Sequence, residues 1–252
     1  MLLTLTAVTK HIIYKIWIIT LSFLLFSGCE YDSPQTVDFT GQIDSIVDID
    51  GNKYKTIGIG TQVWMQENLR VTHFNDGSKI SLLNQSGDWY LNNDLNTPAY
   101  CWYDNDSVNN YSPYGALYNF YSIETGLLCP TGWHVSSQTE WETLVNYLGG
   151  KEIAGGKLKD YFGNYWTSPN HCIENNGYFI GLPGGYRHSR NGTYYAKGLL
   201  GCWWANRISK EDNSMALQIS LENSEIFTTE TYVNKNVGAS VRCVKDLTNT
   251  KH

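Results

Sequence analysis

Residues 43–59 read IDSIVDIDGNKYKTIGI, and this stretch decides the fold class. Apolar and polar residues interleave from Ile43 to Ile49, Asp50-Gly51 supplies a position tolerant of positive φ, and Lys53 to Ile59 resumes the alternation. That pattern predicts a β-hairpin. Gly60-Thr61-Gln62 then turns the chain into a third short strand, Val63-Trp64-Met65. Asp48-x-Asp50-Gly51 has the opening of a calcium loop, but the ligand positions that should follow are missing, so a plain turn is expected there.

Further along, the period changes. Ser137-Gln138-Thr139-Glu140 is a capping box, in which Ser137 accepts from the Glu140 amide and the Glu140 carboxylate reaches back to the cap amide. Trp141, Leu144, Val145 and Leu148 follow at helical spacing, and Gly149-Gly150 ends the helix. Glu140 is therefore read as a cap rather than a catalytic acid. Tyr114, Leu117, Tyr118 and Tyr121 fall at i, i+3, i+4 and i+7 after Ser112-Pro113, which predicts a second helix. Beyond Gly155 the segments shorten to 165–167, 177–182, 216–221 and 239–244, separated by Gly, Pro and Asn. Strands, two helices, then strands give an α+β class: short antiparallel strands, two helices and a long irregular loop region. The Asn-, Asp- and Ser-dense stretch 84–110 reads as a surface excursion.

The first 28 residues read as an address. Lys10 and Lys15 precede the uncharged apolar run Ile16–Phe26, which at 11 residues is too short to span a bilayer. Ser27-Gly28-Cys29 follows, and Leu25-Phe26-Ser27-Gly28-Cys29 resembles a bacterial lipobox, with Phe26 where Leu is usual. The resemblance implies a signal peptide over 1–28 and lipid attachment at Cys29. Residues 29–40 are then anchor and tether, 41–246 one domain, and 247–252 a polar tail.

Composition narrows the function. The 252 residues carry 18 Lys+Arg against 24 Asp+Glu, a formal charge of −6, with no basic run, which argues against a nucleic-acid partner. Only 17% are charged, whereas 9 Trp, 18 Tyr and 8 Phe make the chain rich in rings that must either fill a core or face a ligand. No Gly-x-Ser-x-Gly, His-Glu-x-x-His or phosphate-loop signal occurs. His134, between Trp133 and Val135, reads as a hydrogen-bonded structural histidine. A zinc site from His171, Cys172 and Cys202 lacks the paired short spacing such sites use. Trp166 and Trp203 are assigned to the core. The expected ligand surface is Trp102, Tyr103, Asp104 and Asp106 on the excursion, with Arg187 and Trp204, because rings stack on sugar or peptide faces while carboxylates and guanidinium fix orientation.

Asp48–Leu69 (DIDGNKYKTIGIGTQVWMQENL), Tyr114–Tyr121 (YGALYNFY), Cys129–Val135 (CPTGWHV), Glu140-Trp141 and Ser240–Asp246 (SVRCVKD) together resemble the Fibrobacter succinogenes major paralogous domain, a family found in secreted proteins and lipoproteins. The order of these blocks, with Gly184-Gly185-Tyr186 between them, is more distantly similar to the C-type lectin-like fold shared with sulfatase-modifying factors. That likeness implies paired terminal strands and a binding site on the loops. It also implies a disulfide between Cys129 and Cys243, with Cys172–Cys202 as a second pairing. With Cys29 lipidated, five cysteines remain, so at least one stays unpaired. The close cysteine pair of the sulfatase-modifying enzymes is missing, and of the lectin calcium motifs Ser168-Pro169-Asn170 keeps only Pro-Asn. We therefore expect a lipoprotein of the bacterial cell envelope, at the outer membrane, with a non-catalytic domain that binds glycan or protein and uses no cofactor or metal. A structural or assembly role in the envelope is the alternative, and a sulfatase-modifying-type enzyme ranks last.

Overall fold

In the computed structural model, residues 37–89, 96–174, 179–225 and 228–247 are described, all within one compact unit that starts at Val37. The predicted hairpin is present: β1 (Ile43–Val47) pairs antiparallel with β2 (Lys53–Ile59), and β3 (Gln62–Met65) returns along β2. The 48–52 turn is closed by Asp48, whose carboxylate accepts from the amides of Asp50 and Asn52 and from the Tyr54 hydroxyl at 2.6 Å. The C-terminal strand β13 (Cys243–Lys245) inserts between β3 and β7 (Trp133–Val135), giving a five-stranded sheet ordered β1-β2-β3-β13-β7. Smaller sheets are formed by β4 (Ser81–Leu82), β5 (Ala99–Cys101) and β6 (Leu117–Tyr118), by the β8–β9 hairpin (Tyr186–Arg187, Tyr194–Tyr195), and by β10 (Leu200–Ile208), β11 (Met215–Glu222) and β12 (Thr229–Asn234). The class is α+β with mostly small antiparallel sheets.

Strand alternation explains where the rings go. Successive side chains of a strand point to opposite faces, and here both faces are covered. Trp64 joins one cluster with Trp141, Phe179 and Trp203, while its neighbour Met65 joins another with Tyr118, Phe120 and Trp204. Trp203 and Trp204 divide in the same way, as do Cys243 and Val244. A third, small cluster holds Trp89, Ala99, Cys101, Tyr103 and Leu117. The 84–110 stretch is thus no bare excursion: β5, Trp89 and a short helix α1 (Ser107–Asn110) give it a core of its own.

Several expectations are corrected. Tyr114–Tyr121 is not one helix. Gly115 sits at φ +77°, where a Cβ would stand 2.8 Å from the Leu69 carbonyl oxygen, and the backbone of Tyr118 is paired with Ala239. These cross-chain bonds end any helical run, and α2 (Phe120–Glu124) starts only after the Asn119 cap. The Ser137 capping box does open α3 (Gln138–Tyr147), and a further helix, α4 (Lys151–Leu158), follows Gly150. Its Gly155-Gly156 centre concealed it in the sequence. Residues 165–167 are irregular, tied by the Thr167 amide to the Gly198 carbonyl and by the Trp166 indole to that of Gly181. Of 177–182, residues 177 and 178 lie outside the described residues, and the remainder contributes only a bridge from Gly181 to Lys159.

Three buried cations hold the irregular segments. Arg242, fully buried, donates to the carbonyls of Met65, Phe179 and Ile180 and to Asn68 Oδ1, and its guanidinium lies 4.3 Å from the Phe179 ring centre. Burial lowers its pKa to about 9. Lys159 reaches the carbonyls of His171, Asn223 and Glu225 beneath the Trp166 ring, and burial lowers it to about 8. Arg187 is the third.

Candidate functional site

The residues expected to face a ligand are mostly interior. Trp204 is fully buried, with its indole donating to the Tyr118 carbonyl at 2.8 Å and its ring edge-on to Phe120. Trp102 is buried between Tyr100 and Tyr111, and Tyr103 packs on Tyr194. Arg187 spends its guanidinium on the carbonyls of Leu83, Gln85 and Gly192, between the rings of Trp89 and Tyr194. Asp106 caps α1 through Asn109, while Asp104 is exposed at φ +51°. The physical reason is one of supply: with few aliphatic helices to pack, the fold draws on these rings for its core. Trp166 and Trp203 are buried as expected. Cys29 lies outside the described residues.

Cys129 and Cys243 form a disulfide that ties the segment before β7 to β13. The second pairing is corrected: Cys172 and Cys202 are both free, as is Cys101, and Cys202 is buried inside β10, where desolvation raises its thiol pKa. His134 is held on both nitrogens, by Glu140 at 2.7 Å and Asp246 at 2.5 Å. The Glu140 bond first, then Asp246, raise its pKa to about 9 against the opposing effect of burial. With a carboxylate on each ring nitrogen, it joins the start of α3 to the end of β13. A partly open cavity beside β1, lined by Phe39, Asp44, Ile46 and Trp133, holds about 250 Å³, and a more open cleft lined by Gln62, His134, Glu140 and Asp246 holds about 520 Å³. Among the described residues no group of three His, Cys, Asp or Glu side chains is placed to hold a metal, and no helix is long and apolar enough to cross a membrane.

A row of rings, exposed at Tyr165 and increasingly buried toward Tyr103, gathers around Lys197. Tyr165, 40% exposed, meets Tyr114 edge-on at 5.9 Å. The Lys197 ammonium lies 4.6 Å from the Tyr114 ring centre and 5.4 Å from that of Tyr103, and donates to Asn110 Oδ1 at 2.5 Å. Tyr103 packs on Tyr194 at 5.1 Å, and the Tyr194 hydroxyl donates to Asn105. Tyr161 and Phe162, the latter 74% exposed, stand at the same loop as Tyr165. Lys197 makes no ion pair among the described residues. The row is positioned by Gly185, at φ +66°, where a Cβ would meet the Tyr195 carbonyl oxygen at 2.3 Å and the Tyr103 ring at 2.8 Å. Tyr103 stood out in the sequence; the partnership of Tyr114 with Lys197 did not, because 83 residues separate them.

The family model of the Fibrobacter succinogenes major domain matches residues 57–245. The chain belongs to this family. The Fibrobacter succinogenes major domain so defined runs from within β2 to the last residue of β13 and contains the whole tyrosine row, the disulfide and the buried cations, while β1 precedes it. No curated protein and no solved structure matches the chain.

Proposed function

We propose that this chain is a lipoprotein of the bacterial envelope, anchored at the outer membrane through Cys29, whose domain is a non-catalytic binding module for glycan. The observation that carries the reading is the group Tyr165–Tyr114–Lys197, with Tyr165 exposed and Tyr114 and Lys197 half-buried, backed by the buried Tyr103 and the half-buried Tyr194 and bordered by the exposed amide of Asn105. Ring faces stack on the C–H faces of pyranoses, phenol hydroxyls and amides bond the ring hydroxyls, and the ammonium adds a fixed donor. A C-type lectin-like layout accords with β13 lying between β3 and β7 and with the Cys129–Cys243 bridge.

The test is a glycan array with the chain from residue 30 onward, compared with Tyr165→Ala and Lys197→Met. Binding lost in both variants, with unchanged unfolding midpoints, supports the reading. Retention of a glycan by both variants would place its site elsewhere, and an array without any binder would favour a structural role against an envelope protein, for which the exposed Phe162 is the anchor.

A further inference from the structure

We infer that the outer face of the β1–β2 hairpin rests on the lipid surface to which the chain is anchored; this builds on the lipid attachment proposed above. Four large apolar side chains near the domain's entry are exposed: Val37 at 60%, Ile43 at 72%, Val47 at 52% and Ile49 at 48%. Single exposed aliphatics are ordinary, but Ile43 and Val47 on β1, Ile49 in its turn and Val37 on the segment that leads in form a group, and such a group is a contact surface.

Register places them with cations. Directly opposed residues of an antiparallel pair share a face. Val47 opposes Lys53, and Ser45 opposes Lys55, with both lysines exposed. On the other face Ile46 and Tyr54 enter the core, and away from the turn Ile43 opposes the buried Ile57, so the open part of the outer face is the turn end that carries Val47, Lys53 and Lys55. Aliphatic tips flanked by lysine stems are the chemistry of an interfacial element, in which the apolar groups enter the headgroup–acyl boundary and the ammonium groups stay among the phosphates. The hairpin's acidic groups are directed or engaged away from the lysines: Asp44, exposed, opposes Thr56 on the opposite face, Asp48 holds the turn, Asp50 binds Thr72 and His73, and Glu67 accepts from the Lys55 amide.

Chain length sets the reach. Cys29 and Val37 are eight residues apart, so even fully extended the chain between them covers at most about 29 Å. A domain of roughly 210 residues is about 40 Å across. The Phe39 amide bonds the Gly60 carbonyl and the Gly41 amide that of Gly58, so the chain enters along β2 and delivers the hairpin first. The occupant is therefore the bilayer itself rather than a protein partner. β1 also precedes the family match, as expected of a feature that serves this chain's attachment.

The test uses the full processed chain reconstituted in vesicles of phosphatidylethanolamine and phosphatidylglycerol, with Cys172→Ser removing the half-buried thiol. A nitroxide is placed at Val47→Cys or Ile49→Cys, and at Asn213→Cys, on the exposed turn before β11, as the reference. Labels at 47 and 49 favouring oxygen over a water-soluble nickel relaxant, with 213 showing the reverse, support the inference. Water-like behaviour at all three sites on a chain whose mass shows an acylated Cys29 overturns the hairpin contact alone. An unacylated Cys29 overturns the anchor and the contact together.

Discussion

Trp203 and Arg242 share one acceptor: the indole Nε1 and the guanidinium Nε donate to the same Asn68 oxygen, at 2.8 and 2.7 Å. The Asn68 amide nitrogen in turn donates to the Tyr114 carbonyl and to Ser240 Oγ. One side chain thus joins β10, the approach to β13 and the base of the tyrosine row.

Replacing Asn68 by Leu strands a buried indole N–H and one arm of a buried cation. Orphaned donors of this kind cost about 3 kcal/mol. Urea unfolding of Asn68→Leu should show a fall of that order, and an unchanged midpoint would mean that water takes the place of the amide.

The His134 clamp makes a signed pH prediction. Its folded pKa, about 9, lies above the ordinary 6.5, so the stabilisation is complete below about 6.5 and is lost as pH rises through about 9. The ring is 42% exposed, which limits the effect to about 1 kcal/mol. Lys159, lowered to about 8, acts in the opposite sense from about pH 8 upward and overlaps the end of the His134 range, so the comparison is with His134→Gln. Melting temperatures of the two proteins from pH 6 to 9.5 should converge; a constant gap would remove the clamp from the titration.

Cys129 and Cys243 close a loop with a sequence separation of 114, which in the chain-entropy treatment is worth about 5 kcal/mol. Native alkylation should spare both, label Cys172 first, and reach the buried Cys101 and Cys202 only on unfolding. Rapid labelling of Cys202 in the folded protein would contradict its place in β10.

Gly185→Ala places a methyl against the Tyr195 carbonyl and 2.8 Å from the Lys197 amide nitrogen, at a positive φ. The strain is on the order of 1–3 kcal/mol, and its relief must move β9 or Lys197. The variant should weaken ligand binding more than Gly126→Ala, whose added Cβ has nothing within 4 Å. Equal losses would separate the row from binding.

Local grammar was readable where local bonds decide. The 43–59 hairpin depends on its own turn, and α3 on its own cap, so both were evident. The Tyr114–Tyr121 spacing misled because Leu117 and Tyr118 are buried on two faces of a strand, which produces an apolar run at helical offsets by coincidence. Burial of Trp204 and Arg187 depends on partners as distant as Leu83, Phe120 and Gln85, and no spacing along the chain announces those. The tyrosine row was hidden for the same reason: Lys197 acquires its meaning only beside Tyr114 and Tyr103.

Arg187, Arg242 and Lys159 address backbone oxygens at Leu83, Gln85, Gly192, Met65, Phe179, Ile180, His171, Asn223 and Glu225. Every amino acid presents that same oxygen. Loops moored in this way can exchange their outward side chains without slipping their moorings, so three interior cations give the domain a rigid frame on which surface chemistry is free to diversify.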